Sequence, residues 1–208
     1  MRGIFIDLEG SDGSGKTTVV DGLKNKFQEA GIDMYFTREP GGTDIGEKIR
    51  DILLDKDNED MDFRCEALLY AAARAQHTSR LIRPMIDEGK NVFTERYTLS
   101  SLAYQGCGRG LGIEEIYKIN NFATKGYEPD LVLYLEADPI DLLERKKKQK
   151  EADRLEASGE EFFSKISQGF DRACKYAKNV KRIDAMQDSQ AVIEDCWQEV
   201  LKLLKERI

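Results

Sequence analysis

Histidine is almost absent from this chain of 208 residues; the single one is His77. Cysteine is sparse as well: Cys65, Cys107, Cys174 and Cys196 stand far apart and form no C-x-x-C pair. The scarcity of both excludes a zinc site, which needs clustered ligands, and points to free thiols rather than a disulfide framework. No apolar run approaches the roughly 20 residues that span a bilayer, so no membrane attachment is expected. The opening residues, MRGIFIDLEG, lack a long apolar stretch followed by a small-residue cleavage site, and the expected location is the cytoplasm. Internal repeats and proline- or serine-rich linkers are missing too, which leaves a single domain over residues 1–208 as the simplest organisation.

What is present describes an ordinary soluble protein, 40% apolar and 34% charged. The formal charge of −7 argues against general binding to nucleic acid and makes any local basic cluster stand out. One such cluster is RKKKQK, residues 145–150. A solvated, charged helix face accounts for its lysines.

Short strand-like runs alternate with long helical patterns. The strand candidates are Gly3–Leu8, Asp33–Thr37, Asn91–Glu95, Leu131–Leu135 and Val180–Ile183. Helical patterns cover about 15–30, 43–55, 62–88, 98–125, 138–178 and 188–206. That alternation predicts an α/β fold with a parallel sheet covered by helices on both faces. Asp62 is placed to cap the third helix, Glu88-Gly89 to end it, and Asp138-Pro139 to begin another.

Between the first strand and the first helix the chain reads EGSDGSGKTT. The spacing G-x-x-x-x-G-K-T is complete at Gly10, Gly15, Lys16 and Thr17. Glycines let successive amides turn towards an anion, and the helix that follows offers its positive end. Gly10, Ser11, Asp12, Gly13, Ser14, Gly15, Lys16, Thr17 and Thr18 are therefore the candidate phosphate cradle. Lys16 would reach the β and γ phosphates and Thr17 a Mg²⁺ ion. An accidental match arises in roughly one chain of this length in a hundred, and the required strand and helix flank it here. The loop alone leaves three classes open: a small-molecule kinase, an ATP-driven machine and a GTP switch. A switch needs a guanine-reading N-K-x-D, and the only Asn-Lys pair, Asn25-Lys26, continues Phe-Gln. The chain length favours a small kinase over a motor.

Two further strands end in charged residues. REPGGT begins at Arg38 and places Arg38 and Glu39 on the rim where ligands sit in open parallel sheets. VFTERY brings Glu95 and Arg96 to the same rim, a carboxylate suited to a Mg²⁺ shell or a base, and a guanidinium suited to phosphate. Tyr70 and Arg74, one helical turn apart, would project from one face. By spacing alone they read as a core aromatic beside a solvated arginine.

REPGGT, LLYAAARAQH, ERYTLSSLAYQG and the phosphate loop, in that order, closely resemble bacterial thymidylate kinases across essentially the whole chain. The resemblance implies a P-loop NTPase three-layer sandwich with a five-stranded parallel sheet and a small lid at about 144–158. It also implies transfer of a phosphoryl group from ATP to dTMP with Mg²⁺, in dTTP biosynthesis, usually by a homodimer. Carried over by position, Tyr70 would stack on thymine, Arg74 would donate to its O4, and Ser100, Ser101 and Gln105 would complete base recognition. Tyr104 would crowd the sugar 2′ position, and Arg38, Arg50 and Arg96 would bind the dTMP phosphate. Glu39 would shape the site near the magnesium and phosphates, and Asp12 would face the dTMP sugar and phosphate. Lys16, Arg96, Glu95, Asp12 and a lid arginine, Arg154 ahead of Arg145, would carry the transfer, with Thr17 and Glu95 at the metal. The sequence departs from the family where Glu95 stands for the usual Asp and Tyr70 for the usual Phe. A deoxynucleoside kinase and a non-catalytic nucleotide-binding protein are the alternatives.

Overall fold

Residues 2–138, 142 and 160–206 are described by the computed structural model of the chain. The expected lid and its basic run, including Arg145 and Arg154, fall outside them, as does Pro139.

The strands are β1 (Phe5–Gly10), β2 (Met34–Arg38), β3 (Asn91–Glu95), β4 (Leu131–Glu136) and β5 (Val180–Asp184). They form one parallel sheet in the order β2-β3-β1-β4-β5. The central β1 takes Leu8 opposite Glu95 on one side and Gly10 opposite Leu135 on the other. This register brings the end of β3 level with the start of the phosphate loop. β1 itself runs two residues beyond the expected Leu8, because pairing with β4 holds it straight as far as Gly10.

Side-chain alternation along the strands sets up two cores. Ile6 and Leu8, with Leu131, Leu133 and Leu135, face α1 (Lys16–Glu29) and the C-terminal helix Ser189–Lys205. Phe27 of α1 meets Trp197 edge to face at 5.0 Å. On the opposite face Val132 and Tyr134 pack with Leu99, Leu102, Ile113, Ile166 and Phe170. Phe5, Val92 and Tyr97 form a third cluster with Ile82 and Ile86. Each such fully buried side chain stabilises the fold by about 1.5–3 kcal/mol. Asp7 and Glu9 share the strand face of Phe5, so two carboxylates lie beneath the site.

Helices on the site side are α2 (Asp44–Leu54), α3 (Phe63–His77), α4 (Arg83–Asp87), α5 (Thr98–Ser101), α6 (Ile113–Thr124) and α7 (Glu160–Ala173). Asp62 caps α3 as expected, accepting from Arg64 N at 2.9 Å. A π turn at Thr78–Ile82 joins α3 to α4, and Gly89 ends that run with φ 86°. The pattern over 98–125 is not one helix. After α5 the chain widens into a π segment, Leu102–Gly108, and breaks before α6. Gly110 and Gly112, at φ 72° and 92°, make the break.

Candidate active site

The phosphate loop leaves a helix start open to an anion. Gly15 caps α1 at φ 88°, a conformation costly to any side chain-bearing residue, and no side chain bonds the first amides. The first turn of α1 contains no acidic residue, and the Ser14 hydroxyl is buried with no partner among the described residues. Lys16 Nζ lies against the loop's own carbonyls, 3.1 Å from Gly10 O and 2.9 Å from Ser11 O. Burial, then the nearby Arg96 charge, lowers its ammonium to about 8. Thr17 and Thr18 are exposed at the helix start.

Beside the loop opens a cavity of about 190 Å³. All ten residues expected to bind a phosphoryl acceptor line it. Arg38, Glu39 and Arg50 come from the end of β2 and from α2. Tyr70 and Arg74 come from α3, and Arg96, Ser100, Ser101, Tyr104 and Gln105 from the segment after β3. Asp12 and Glu95 complete the wall towards the phosphate loop. Pro40 and Leu54 also line the cavity. Nothing marked Leu54 in the sequence beyond its place one turn after Arg50.

Arg96 ties the two halves together. It occupies φ 71°, a backbone strain of order 1–3 kcal/mol for a non-glycine residue. Its amide bonds Leu8 O at 2.9 Å, which helps to hold that conformation. Nη1 donates to Gly10 O of the phosphate loop at 3.1 Å and to Ser100 Oγ at 3.0 Å, while Nη2 is paired with Asp12. Burial works against the charge, and Asp12, Tyr104, Glu9 and Glu95 more than offset it. Tyr104 stacks under the guanidinium, 5.3 Å from ring centre to Cζ.

A second positive group sits across the cavity. Arg50 donates to Pro40 O at 3.1 Å. Its pKa is lowered by burial and then by Arg38, with Arg96 adding to the effect. Arg38 donates to Pro40 O and to both oxygens of Glu47, at 3.1 and 3.0 Å. Arg38 and Arg96 both disfavour the charge on Arg50, a cost that an anion bound beside them relieves. Arg96 is felt by both Arg50 and Lys16.

Arg74 differs from its reading by spacing: it is buried, not solvated. Nε donates to Glu39 Oε2 at 2.7 Å and Nη1 to Ser101 Oγ at 2.8 Å; Nη1 also bonds Asn120 Oδ1. Glu39 Oε1 meets His77 Nδ1 at 2.9 Å, and His77 Nε2 meets Thr37 Oγ1 at 2.9 Å. Glu39 therefore braces Arg74, with both its oxygens engaged. Glu9, which sequence reasoning passed over, organises the other wall. It accepts from Tyr97 N at 2.9 Å, Ser100 N at 3.0 Å and Ser100 Oγ at 2.5 Å. Its signal was period-two placement beside Asp7 on a strand entering the loop.

No group of three or more acidic, cysteine or histidine side chains among the described residues could hold a metal by itself. Thr17 is exposed at the start of α1 and Glu95 lines the cavity, a hydroxyl and a carboxylate of the oxygen chemistry that Mg²⁺ takes.

A phosphate-binding loop and an arginine-lined acceptor cavity on one edge of a parallel sheet define a P-loop nucleotide kinase fold. Within that class, a family model described as thymidylate kinase matches residues 8–196. A thymidylate kinase of Finegoldia magna is 46% identical over 204 residues, covering 98% of each chain. Those of Clostridium novyi and Lactobacillus helveticus are each 46% identical, over 93% and 100% of this chain and 96% and 98% of their own. The chain belongs to the thymidylate kinase family.

Proposed function

We propose that the protein transfers the γ-phosphoryl group of ATP to dTMP, giving ADP and dTDP for dTTP biosynthesis. The observation that carries this is Arg96, which bonds the phosphate loop through Gly10 O and lines the acceptor cavity at once. Phosphoryl transfer is mainly positioning and charge neutralisation. Lys16 and the α1 amides hold the donor phosphates, and Arg38, Arg50 and Arg96 hold the acceptor phosphate. Their positive charge offsets the repulsion between the two anions. Tyr70 stacks on the base, Arg74, Ser100, Ser101 and Gln105 read its edge, and Tyr104 crowds the sugar 2′ position. Asp12 orients Arg96 and faces the sugar and phosphate, and Glu39 keeps Arg74 in place. Mg²⁺, held at Thr17 and by water at Glu95, would neutralise phosphate charge when bound.

One domain spanning residues 1–208 carries the reaction, and Arg154 assists the transfer. The protein works in the cytoplasm. It acts as a homodimer without nucleic acid. Ile45 and Ile52 on α2, Phe63 and Leu68 on α3 and Phe122 on α6 are exposed apolar groups on neighbouring helices, and they support pairing with a second copy.

The test is ADP release with dTMP, dUMP, UMP, AMP, GMP and thymidine as acceptors. Strong preference for dTMP is expected. Preference for AMP or GMP rejects the reading, and preference for thymidine makes the protein a nucleoside kinase.

A further inference from the structure

Glu66 lies on α3 one turn before Tyr70 and is fully buried. Gln105 Nε2 donates to its Oε1 at 3.0 Å. Arg109 donates to both oxygens, Nε to Oε1 and Nη2 to Oε2, each at 3.2 Å. Arg109 is itself sandwiched, its guanidinium carbon 4.6 Å from the ring centres of both Phe63 and Phe162. A guanidinium stacked between two rings and bonded to both oxygens of a carboxylate has little room to turn.

The consequence falls on Gln105. A side-chain amide can reverse with almost no change of shape, and reversal exchanges a donor for an acceptor. A carboxylate in an arginine pair can only accept, so the amide NH₂ must face Glu66. That leaves Oε1 as the atom of Gln105 available to a ligand in the cavity it lines. Across the cavity Arg74 offers only donors. A donor beside an acceptor matches the O4 and N3–H edge of thymine or uracil. It opposes cytosine, which presents an amino group and a lone pair at those positions.

We propose that Glu66, held by Arg109, is a positioning residue for base selection: it fixes Gln105 with its carbonyl oxygen towards the cavity, so that the site accepts pyrimidines carrying a proton at N3 and refuses those with a lone pair there. The inference rests on the dTMP kinase reading of the cavity.

The experiment compares dTMP with 5-methyl-dCMP, which keeps the methyl group and changes only position 4 and N3. In Glu66→Gln the amide of Gln105 can sit either way. The KM for dTMP is expected to rise about tenfold, and the ratio of kcat/KM for dTMP over 5-methyl-dCMP to fall about tenfold. The KM for ATP should change by no more than about twofold on the same scale. In a Gln105→Ala background, Glu66→Gln should add no more than about twofold to the dTMP KM, because the group it positions is gone. An equal effect in both backgrounds, or an equal loss towards ATP, overturns the proposal and leaves Glu66 a purely structural ion-pair partner. If Glu66→Gln does not fold, the wild-type protein still decides. The Gln105 NH₂ protons, assigned by ¹⁵N NMR without nucleotide, should exchange slowly against the buried carboxylate, and exchange at the solvent rate overturns the orientation. That last measurement needs no turnover. Failure of the dTMP kinase reading, seen as wild-type protein that does not use dTMP, is therefore separate from failure of the Glu66 assignment.

Discussion

Tyr104 Oη donates to Asp12 Oδ2 at 2.8 Å and accepts from Asp12 N at 3.1 Å. One hydroxyl thus fixes both the backbone and the side chain of a phosphate-loop residue, and Asp12 in turn holds Arg96. Burial, followed by the Asp12 charge, raises the Tyr104 phenol well above its ordinary value, so it stays a donor.

Tyr104→Phe removes that hydroxyl and keeps the ring. A hydrogen bond to a charged group is worth about 1.5–3 kcal/mol. The expected outcome in steady-state kinetics is a loss in kcat/KM for dTMP of roughly tenfold to a hundredfold. The preference for the deoxy sugar should survive, since the ring remains. Lost sugar preference at unchanged rate would separate Tyr104 from Asp12.

Lys16 is expected to make ATP binding depend on pH. Its ammonium is lowered to about 8, while an anion bound beside it favours the charged form. Binding is therefore expected to take up close to one proton per ATP above about pH 8.5, and very little at pH 7. Calorimetry in buffers of different ionisation enthalpy measures this uptake. The uptake should vanish in Lys16→Gln. In the nucleotide-free protein the lowered value costs stability below about pH 8, and that cost fades as pH rises towards 10.5.

Asp7 gives a dependence at lower pH. Both its oxygens are buried without a hydrogen-bond partner among the described residues. Burial, then Glu9 and Glu39, raise its carboxyl well above the usual 3.8. The folded state then holds a proton that the unfolded chain releases. Stability from this group is fully present below pH 3.8 and is lost as pH rises from there through the raised value. Asp7→Asn keeps the shape, stays uncharged at every pH and removes the dependence. Its Tm relative to wild type should improve by several degrees between pH 4.5 and pH 8. An equal Tm difference at both pH values would mean that Asp7 is ionised in the fold.

Gly42 guards the bracing of Arg74. At φ 75°, a Cβ there would lie 2.5 Å from His77 Nε2 and 2.7 Å from Thr37 Oγ1. Gly42→Ala adds left-handed strain of about 1–2 kcal/mol and displaces the His77 link to Glu39. A lower Tm and a raised KM for dTMP are expected together, with the KM for ATP little changed. Unaltered dTMP kinetics would show that the link does not reach Arg74.

The strand ends carried the legible part of the site. A parallel sheet forces the residues that follow β1, β2 and β3 onto one edge, so the sequence alone brings EGSDGSGKTT, REPGGT and ERYT together. Period and turn signals gave the five strands to within about two residues. Tyr70 and Arg74 were not legible by spacing, because helical period does not reveal which neighbour covers a face; only the family resemblance placed them at a base. Buried polar links were illegible for a related reason. Arg74 meets Asn120 across 46 residues and Glu39 across 35, and Gln105 meets Glu66 across 39. Such pairs depend on how α3, α6 and the π segment pack, not on local pattern. The break before α6 was hidden because a π segment keeps an apolar stripe close to helical period.

The central claim is that donor and acceptor phosphates meet at Arg96. A crystal structure with dTMP and a non-hydrolysable ATP analogue tests it most directly. The account predicts the dTMP phosphate on Arg38, Arg50 and Arg96, the base against Tyr70 with N3 facing Gln105 Oε1, and the γ-phosphate on Lys16 in line with the acceptor oxygen. A nucleoside monophosphate bound elsewhere, or a dTMP phosphate turned away from Arg96 and Lys16, would contradict it.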